Sequence, residues 1–99
     1  MVTEVSVKCD VLKLGHKSTY LVKIKTLEGY LWDGIFEKDK VFDIMGVVNE
    51  TIPIKGRVHA ALITYNSICA LIELPVDNTK IGKRINIPLN YIWPPPASS

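Results

Sequence analysis

Glutamine is absent from these 99 residues, alanine occurs only four times, and cysteine, histidine and tryptophan occur twice each. Without glutamine and with so little alanine, the chain lacks two of the residues that long helices favour. Cys9 and Cys69 stand far apart, with no Cys-x-x-Cys spacing and no histidine cluster beside either. That pattern speaks against structural zinc and reads as two reduced thiols packed as small hydrophobes. Charge of one sign is not in excess either. Twelve Lys and Arg against ten Asp and Glu leave a formal charge of +2, too mild for a polybasic protein. No long apolar run interrupts the chain, and Met1-Val2-Thr3-Glu4 carries neither a basic leader nor a hydrophobic stretch. The expectation is therefore a soluble, cytoplasmic protein with no membrane segment. No phosphate-cradling glycine loop and no nucleotide fingerprint is present.

What the chain does contain is β-branched: twelve Ile, ten Val and six Thr, within a composition that is 47% hydrophobic and 22% charged. Branching at Cβ suits a pleated surface better than a helix, so an all-β domain is expected. Residues 4 to 14 alternate, with Val5, Val7, Cys9 and Val11 on one side and Glu4, Ser6, Lys8 and Asp10 on the other. After a break at Gly15-His16-Lys17-Ser18, Tyr20, Val22 and Ile24 resume the pattern, opposite Lys23 and Lys25. A turn at Glu28-Gly29 leads to Tyr30, Trp32 and Phe36, with Gly34 marking a bend, a bulge or a close approach of backbone. A polar turn at 37–40 precedes a fourth predicted strand, Val41 to Val48, which ends in the turn Asn49-Glu50.

From Ile52 to Leu74 both parities are apolar. Three of the four alanines fall here, so a helix from His59 to Leu74 competes with a hairpin, and Asn66-Ser67 in the middle favours the hairpin. A turn-rich stretch, 75 to 83, leads to a last predicted strand, Arg84 to Ile92. Trp93-Pro94-Pro95-Pro96 then leaves the sheet, because proline has no amide to donate. This spacing of strands indicates a small five- to six-stranded barrel, SH3-like or OB-like, over residues 1–93, with an extended Pro-rich tail over 94–99.

Part of this pattern resembles a known family. Val22-x-Ile24, Gly29-x-x-x-x-Gly34-Ile35-Phe36 and Asp39-x-x-x-Asp43-Ile44 look like the first motif of Sm-type RNA-binding proteins, and Ile85 to Ile92 sits where that family has its closing strand. The resemblance implies a small SH3-like barrel. It does not extend to the family's RNA-contacting groups: Asp43 stands where the family has asparagine, and the Arg-Gly pair of its second motif is missing.

No catalytic residue, metal or cofactor is expected. His16 lies in a turn and His59 follows Arg57-Val58, with no nucleophile signature near either. Asp33, Asp39 and Asp43 read as turn and edge residues. A nuclease-like enzyme using His59 with Arg57 or Asp33 is the least favoured reading.

Two surfaces stand out instead. Lys55, Arg57 and His59 alternate and share a face that continues to Tyr65. Lys23 and Lys25 share another, and Arg84 shares one with Asn86. Cations beside an exposed ring suit a phosphate backbone and a stacked base, so Lys23, Lys25, Lys55, Arg57, Tyr65 and Arg84 are candidates for binding RNA or DNA, with Tyr20 and Trp32 as further rings. Second, Ala61, Ile63, Tyr65, Ile68, Ala70 and Ile72 form an apolar set in the 58–74 hairpin whose mirror set is also apolar. Its excess predicts docking to a protein partner or to a second copy. The combined expectation is a non-catalytic, oligomer-forming accessory subunit of a nucleic-acid-handling assembly, with a stand-alone single-strand binder as the alternative. Replacing Arg57 or Lys25 by Glu would then abolish binding and leave the thermal midpoint nearly unchanged.

Overall fold

A computed structural model describes residues 3–15, 18–78 and 80–96. His16 and the last three residues of the predicted tail lie outside them. Among the described residues eight strands carry the fold: β1 (Thr3–Lys13), β2 (Thr19–Lys25), β3 (Leu31–Glu37), β4 (Val41–Phe42), β5 (Ile54–Tyr65), β6 (Cys69–Glu73), β7 (Arg84–Pro88) and β8 (Ile92–Trp93). The main sheet runs β3-β2-β1-β5-β6-β7, every pairing antiparallel. β1, β2 and β3 form a meander, and β5 returns to the free side of β1. That is Greek-key order, the connectivity of the OB-like alternative.

The long strands β1 and β5 form the spine, in register from Thr3↔Leu62 to Val11↔Ile54. The other edge of β1 is divided end to end between β8, at Ser6 and Val7, and β2, from Asp10 to Lys13. The ends of the sheet curl together into a nearly closed barrel. Leu27 N–H donates to Asn86 O at 2.8 Å, Trp32 Nε1 to Gly82 O at 2.8 Å, and Asn78 Nδ2 to Asp33 O at 2.9 Å.

The alternation read from the sequence sets the interior. Val5, Val7, Cys9 and Val11 meet Val22, Ile24, Trp32 and Phe36, then Val58, Ala60, Ala70, Ile72, Ile85 and Ile87, in one buried cluster. Gly34 is a close approach: a Cβ there would stand 2.5 Å from Trp32 Cη2, so the indole lies across the strand where a side chain would be. Asparagines make three of the turns. Asn49 Oδ1 accepts from the amides of Thr51 and Ile52, Asn66 Oδ1 from Ile68 and Cys69, and Asn78 Oδ1 from Lys80 and Ile81. Such Asx turns replace backbone partners with the residue's own amide oxygen. The Asn66 turn decides for the hairpin over the helix.

Three sequence expectations need correction. The fourth strand ends at Phe42 rather than Val48, because Asp43 turns left-handed (φ 51°) and Gly46 follows at φ 151°; Met45 N–H is nevertheless tied to Lys55 O at 2.9 Å. The last strand stops at Pro88. A 3₁₀ turn, Leu89–Tyr91, redirects the chain so that Ile92 and Trp93 pair with β1. Finally, the register of β5 against β6 slips between Leu62 and Thr64, and the bulge exchanges the faces that simple alternation assigned. Ala70 and Ile72 therefore lie in the core, fully shielded, and Ala61 is half-buried. Of the six residues expected to form an outer apolar face, only Ile63, Tyr65 and Ile68 are exposed.

Candidate functional site

The outward residues of β1, β2 and β5 meet across the sheet because of the pairing register. Asp10 stands between Lys23 on β2 and Lys55 on β5, and Lys8 lies opposite Arg57. Lys8, Lys23, Lys25 and Lys55 converge with Asp10 around a shallow depression, beside Tyr91. Lys8 Nζ sits 5.9 Å from the centre of the Tyr91 ring, within reach of its negative face.

The individual cations differ in how free they are. Lys55 Nζ pairs with Asp10 Oδ1 at 2.7 Å, and this hydrogen bond holds the ammonium above its ordinary range. A raised Lys value means that the pair's stabilisation is present at neutral pH and is lost as pH climbs through the Lys55 titration. Both groups are partly exposed, so it amounts to about 0–1 kcal/mol. Arg57 is committed to the fold: Nε donates to Ser6 Oγ at 2.8 Å, and one terminal nitrogen donates to Ser6 O at 3.3 Å and Tyr91 O at 3.1 Å. This corrects the expectation that its loss would leave stability unchanged.

The depression does not end at the lysines. Lys8 and Lys55 also line a groove of about 770 Å³ with Arg57, Asp43, Met45 and Asn90. Arg57, Asp43 and Asn90 continue into a further one with Ile92 and Trp93. Asn90, Ile92 and Trp93 in turn border a last one with Ile68, Leu89 and Pro95. The shared residues set these depressions side by side, a row from the lysines, past Arg57, to a mainly apolar end. Five cations against two carboxylates, Asp10 and Asp43, line the cationic half.

The chain matches no protein-family model, no curated protein and no solved structure. The Sm-type resemblance is thus confined to its short stretch, where the structure supplies local causes: Gly34 makes room for Trp32, and Asp43 lies outside any strand.

Lys23, Lys25, Lys55 and Arg57 are brought together as the sequence suggested. Arg84 and Tyr65 are not among the residues that line this row. Arg84 Nε pairs with Glu73 Oε1 at 2.8 Å across β6 and β7, and that hydrogen bond holds the Glu73 carboxyl below its usual value. Tyr65 ends β5, ten residues beyond Lys55, or roughly 33 Å of extended chain. Trp32 is fully buried and cannot stack on a ligand. Tyr20 lies under Lys38 Nζ, at 5.4 Å. Sequence reasoning missed Lys8, Tyr91 and Trp93. The outward parity of Lys8 was visible, but its neighbours depend on strand order, and Tyr91 and Trp93 arrive only through the 3₁₀ turn.

His59 is stacked on Phe42, with ring centres 4.5 Å apart, and its Nδ1 lies 3.0 Å from Glu4 Oε1. Asp33 instead accepts from Asn78, and the Arg57 guanidinium faces Ser6 and Tyr91. Each residue of the enzymatic reading is thus engaged by a different partner. Among the described residues no three His, Cys, Asp or Glu side chains gather as metal ligands, and no helix is long and apolar enough to cross a membrane. Burial pushes the Cys9 thiol up to about 12, which leaves almost no thiolate at neutral pH. Alkylation of the folded chain is expected to modify the half-buried Cys69 and spare Cys9; equal labelling of both under native conditions would contradict this burial.

Proposed function

We propose that this chain is a non-catalytic β-barrel that binds nucleic acid through its phosphates on the outer face of β1, β2 and β5. The convergence of Lys8, Lys23, Lys25 and Lys55 at one depression carries the reading. Clustered ammonium groups on a rigid sheet displace the counterions of a phosphate backbone, and the affinity they supply must fall as salt rises. Lys23 and Lys25 alternate along β2, about 6.8 Å apart, a step that successive phosphates of an extended strand can match.

Binding of a labelled oligonucleotide, followed by anisotropy over a salt series, tests this. Lys25→Glu should weaken binding at least tenfold and make the dependence of log affinity on log salt shallower by about one. Its thermal midpoint should stay at the wild-type value, since Lys25 is exposed. No binding at low salt, or a salt-independent affinity, would refute the proposal.

A second reading, an accessory subunit that docks to protein, is favoured by one observation: Ile63 and Ile68 remain 40% and 70% exposed at the tip of the β5–β6 hairpin. It now rests on far less area than the sequence suggested. A solution mass that rises with concentration, and is restored to the single-chain value by Ile68→Glu, would support association between copies.

A further inference from the structure

The row of depressions leading from the lysines ends at an aromatic ring, and its two halves differ in chemistry. Cations dominate from Lys23 to Arg57. Asp43 and Asn90 stand where the charge gives way. Beyond them the wall is mainly apolar, built from Ile68, Leu89, Ile92 and Pro95 around Trp93, with Ser67 and Asn90 as its polar members. Trp93 is 64% exposed although its backbone is fixed, its carbonyl accepting from Ser6 Oγ at 3.2 Å and its strand paired with β1. The ring is thus held on a rigid base with much of its surface in water.

From this arrangement we infer that the row takes a single-stranded nucleic acid, its phosphates over the lysines and an unpaired base stacked on Trp93. In a duplex each base already has stacked neighbours on both faces, so the ring would find no partner along its length. A single strand offers a free π-face at every nucleotide, and base–aromatic stacking tolerates any sequence. Asp43 repels phosphate, which keeps the backbone on the lysine side and leaves the apolar end to the base. This assignment rests on the proposed phosphate binding and adds to it the strandedness of the ligand and a stacking residue.

The two tryptophans make the test direct, because Trp32 is fully buried, with its indole N–H on Gly82 O, whereas Trp93 is exposed. Oligodeoxyuridine and oligouridine of equal length, together with a duplex of the same length, are titrated into the full chain at low salt. Intrinsic tryptophan emission and the anisotropy of a labelled copy are read in parallel. Both single strands should quench emission in step with the anisotropy change, and Trp93→Phe should abolish the quench while retaining most of the affinity. Trp93→Ala should weaken binding roughly 5- to 150-fold, the equivalent of about 1–3 kcal/mol of stacking, with an unchanged circular dichroism spectrum. A preference between oligouridine and oligodeoxyuridine, which share the base and differ in the 2′-OH, would assign RNA or DNA as the ligand. Anisotropy binding without quenching, unaltered by Trp93→Ala, would overturn the stacking site and leave the phosphate reading standing, as would a duplex bound equally tightly. Absence of binding by either probe would remove both.

Discussion

Trp32→Ala is expected to cost about 3–5 kcal/mol, which for a domain of this length lowers the thermal midpoint by roughly 15–30 °C. The indole is among the largest fully buried side chains, it packs edge-on to Phe36 with ring centres 6.2 Å apart, and its N–H closes the barrel onto Gly82. Truncation opens a cavity and removes that bond at once. Gly34 should be sensitive for the same reason. A methyl group at Gly34 would meet the indole at 2.5 Å, closer than atoms tolerate, and the ring cannot retreat without surrendering Gly82. Gly34→Ala alone should therefore cost about 1–3 kcal/mol. In the Trp32→Ala background the obstruction is gone, and the same substitution should be nearly neutral or favourable, since glycine in a strand carries an entropic penalty. Urea unfolding of the four proteins of this cycle measures the coupling. Equal costs of Gly34→Ala in both backgrounds would show that the glycine does not serve the indole.

Arg57→Ala is expected to cost about 1–3 kcal/mol, the usual range when a half-buried charged donor leaves its acceptors. The guanidinium joins β5 to β1 through both oxygens of Ser6, and to the turn before β8 through Tyr91 O. Lysine should rescue only part of the loss, because one ammonium cannot reproduce the planar fork. The damage should be local as well as global: β8 pairs with β1 only at Ser6 and Val7, so amide exchange there should accelerate before the rest of the sheet. A variant with wild-type stability and unchanged exchange would show that the clamp is dispensable. Because of this clamp, a fall in nucleic-acid affinity on replacing Arg57 mixes electrostatics with fold, and Lys25→Glu is the cleaner probe of phosphate binding. Removing the competing carboxylate by Asp10→Asn should act in the opposite direction, freeing Lys55 and tightening binding several-fold at low salt.

Strand identity was largely legible because period-two alternation is a local property. Val5 to Val11, Val22 with Ile24, and Trp32 with Phe36 all bury the side that the sequence indicated. Turns at Glu28-Gly29, Asn49 and Asn66 were legible because their chemistry lies within a few residues. The apolar excess of the 58–74 hairpin was misjudged for a physical reason: one bulge at Leu62–Thr64 shifts parity, and a shift of one residue moves Ala70 and Ile72 from an imagined outer surface into the core. No local signal marks that slip.

The amino-acid sequence by itself determined an all-β chain, the inward side of most strands, and Lys23, Lys25, Lys55 and Arg57 as outward cations, since each depends on neighbours one or two residues away. Only the tertiary structure decided that Lys8 joins them, that Arg57 clamps rather than waits for a ligand, and that Trp93 ends their row. Those facts require β5 to cross back beside β1 and the chain to turn after Pro88. Pairings between residues some forty to ninety positions apart follow from burying the whole core at once, which no short stretch of sequence encodes.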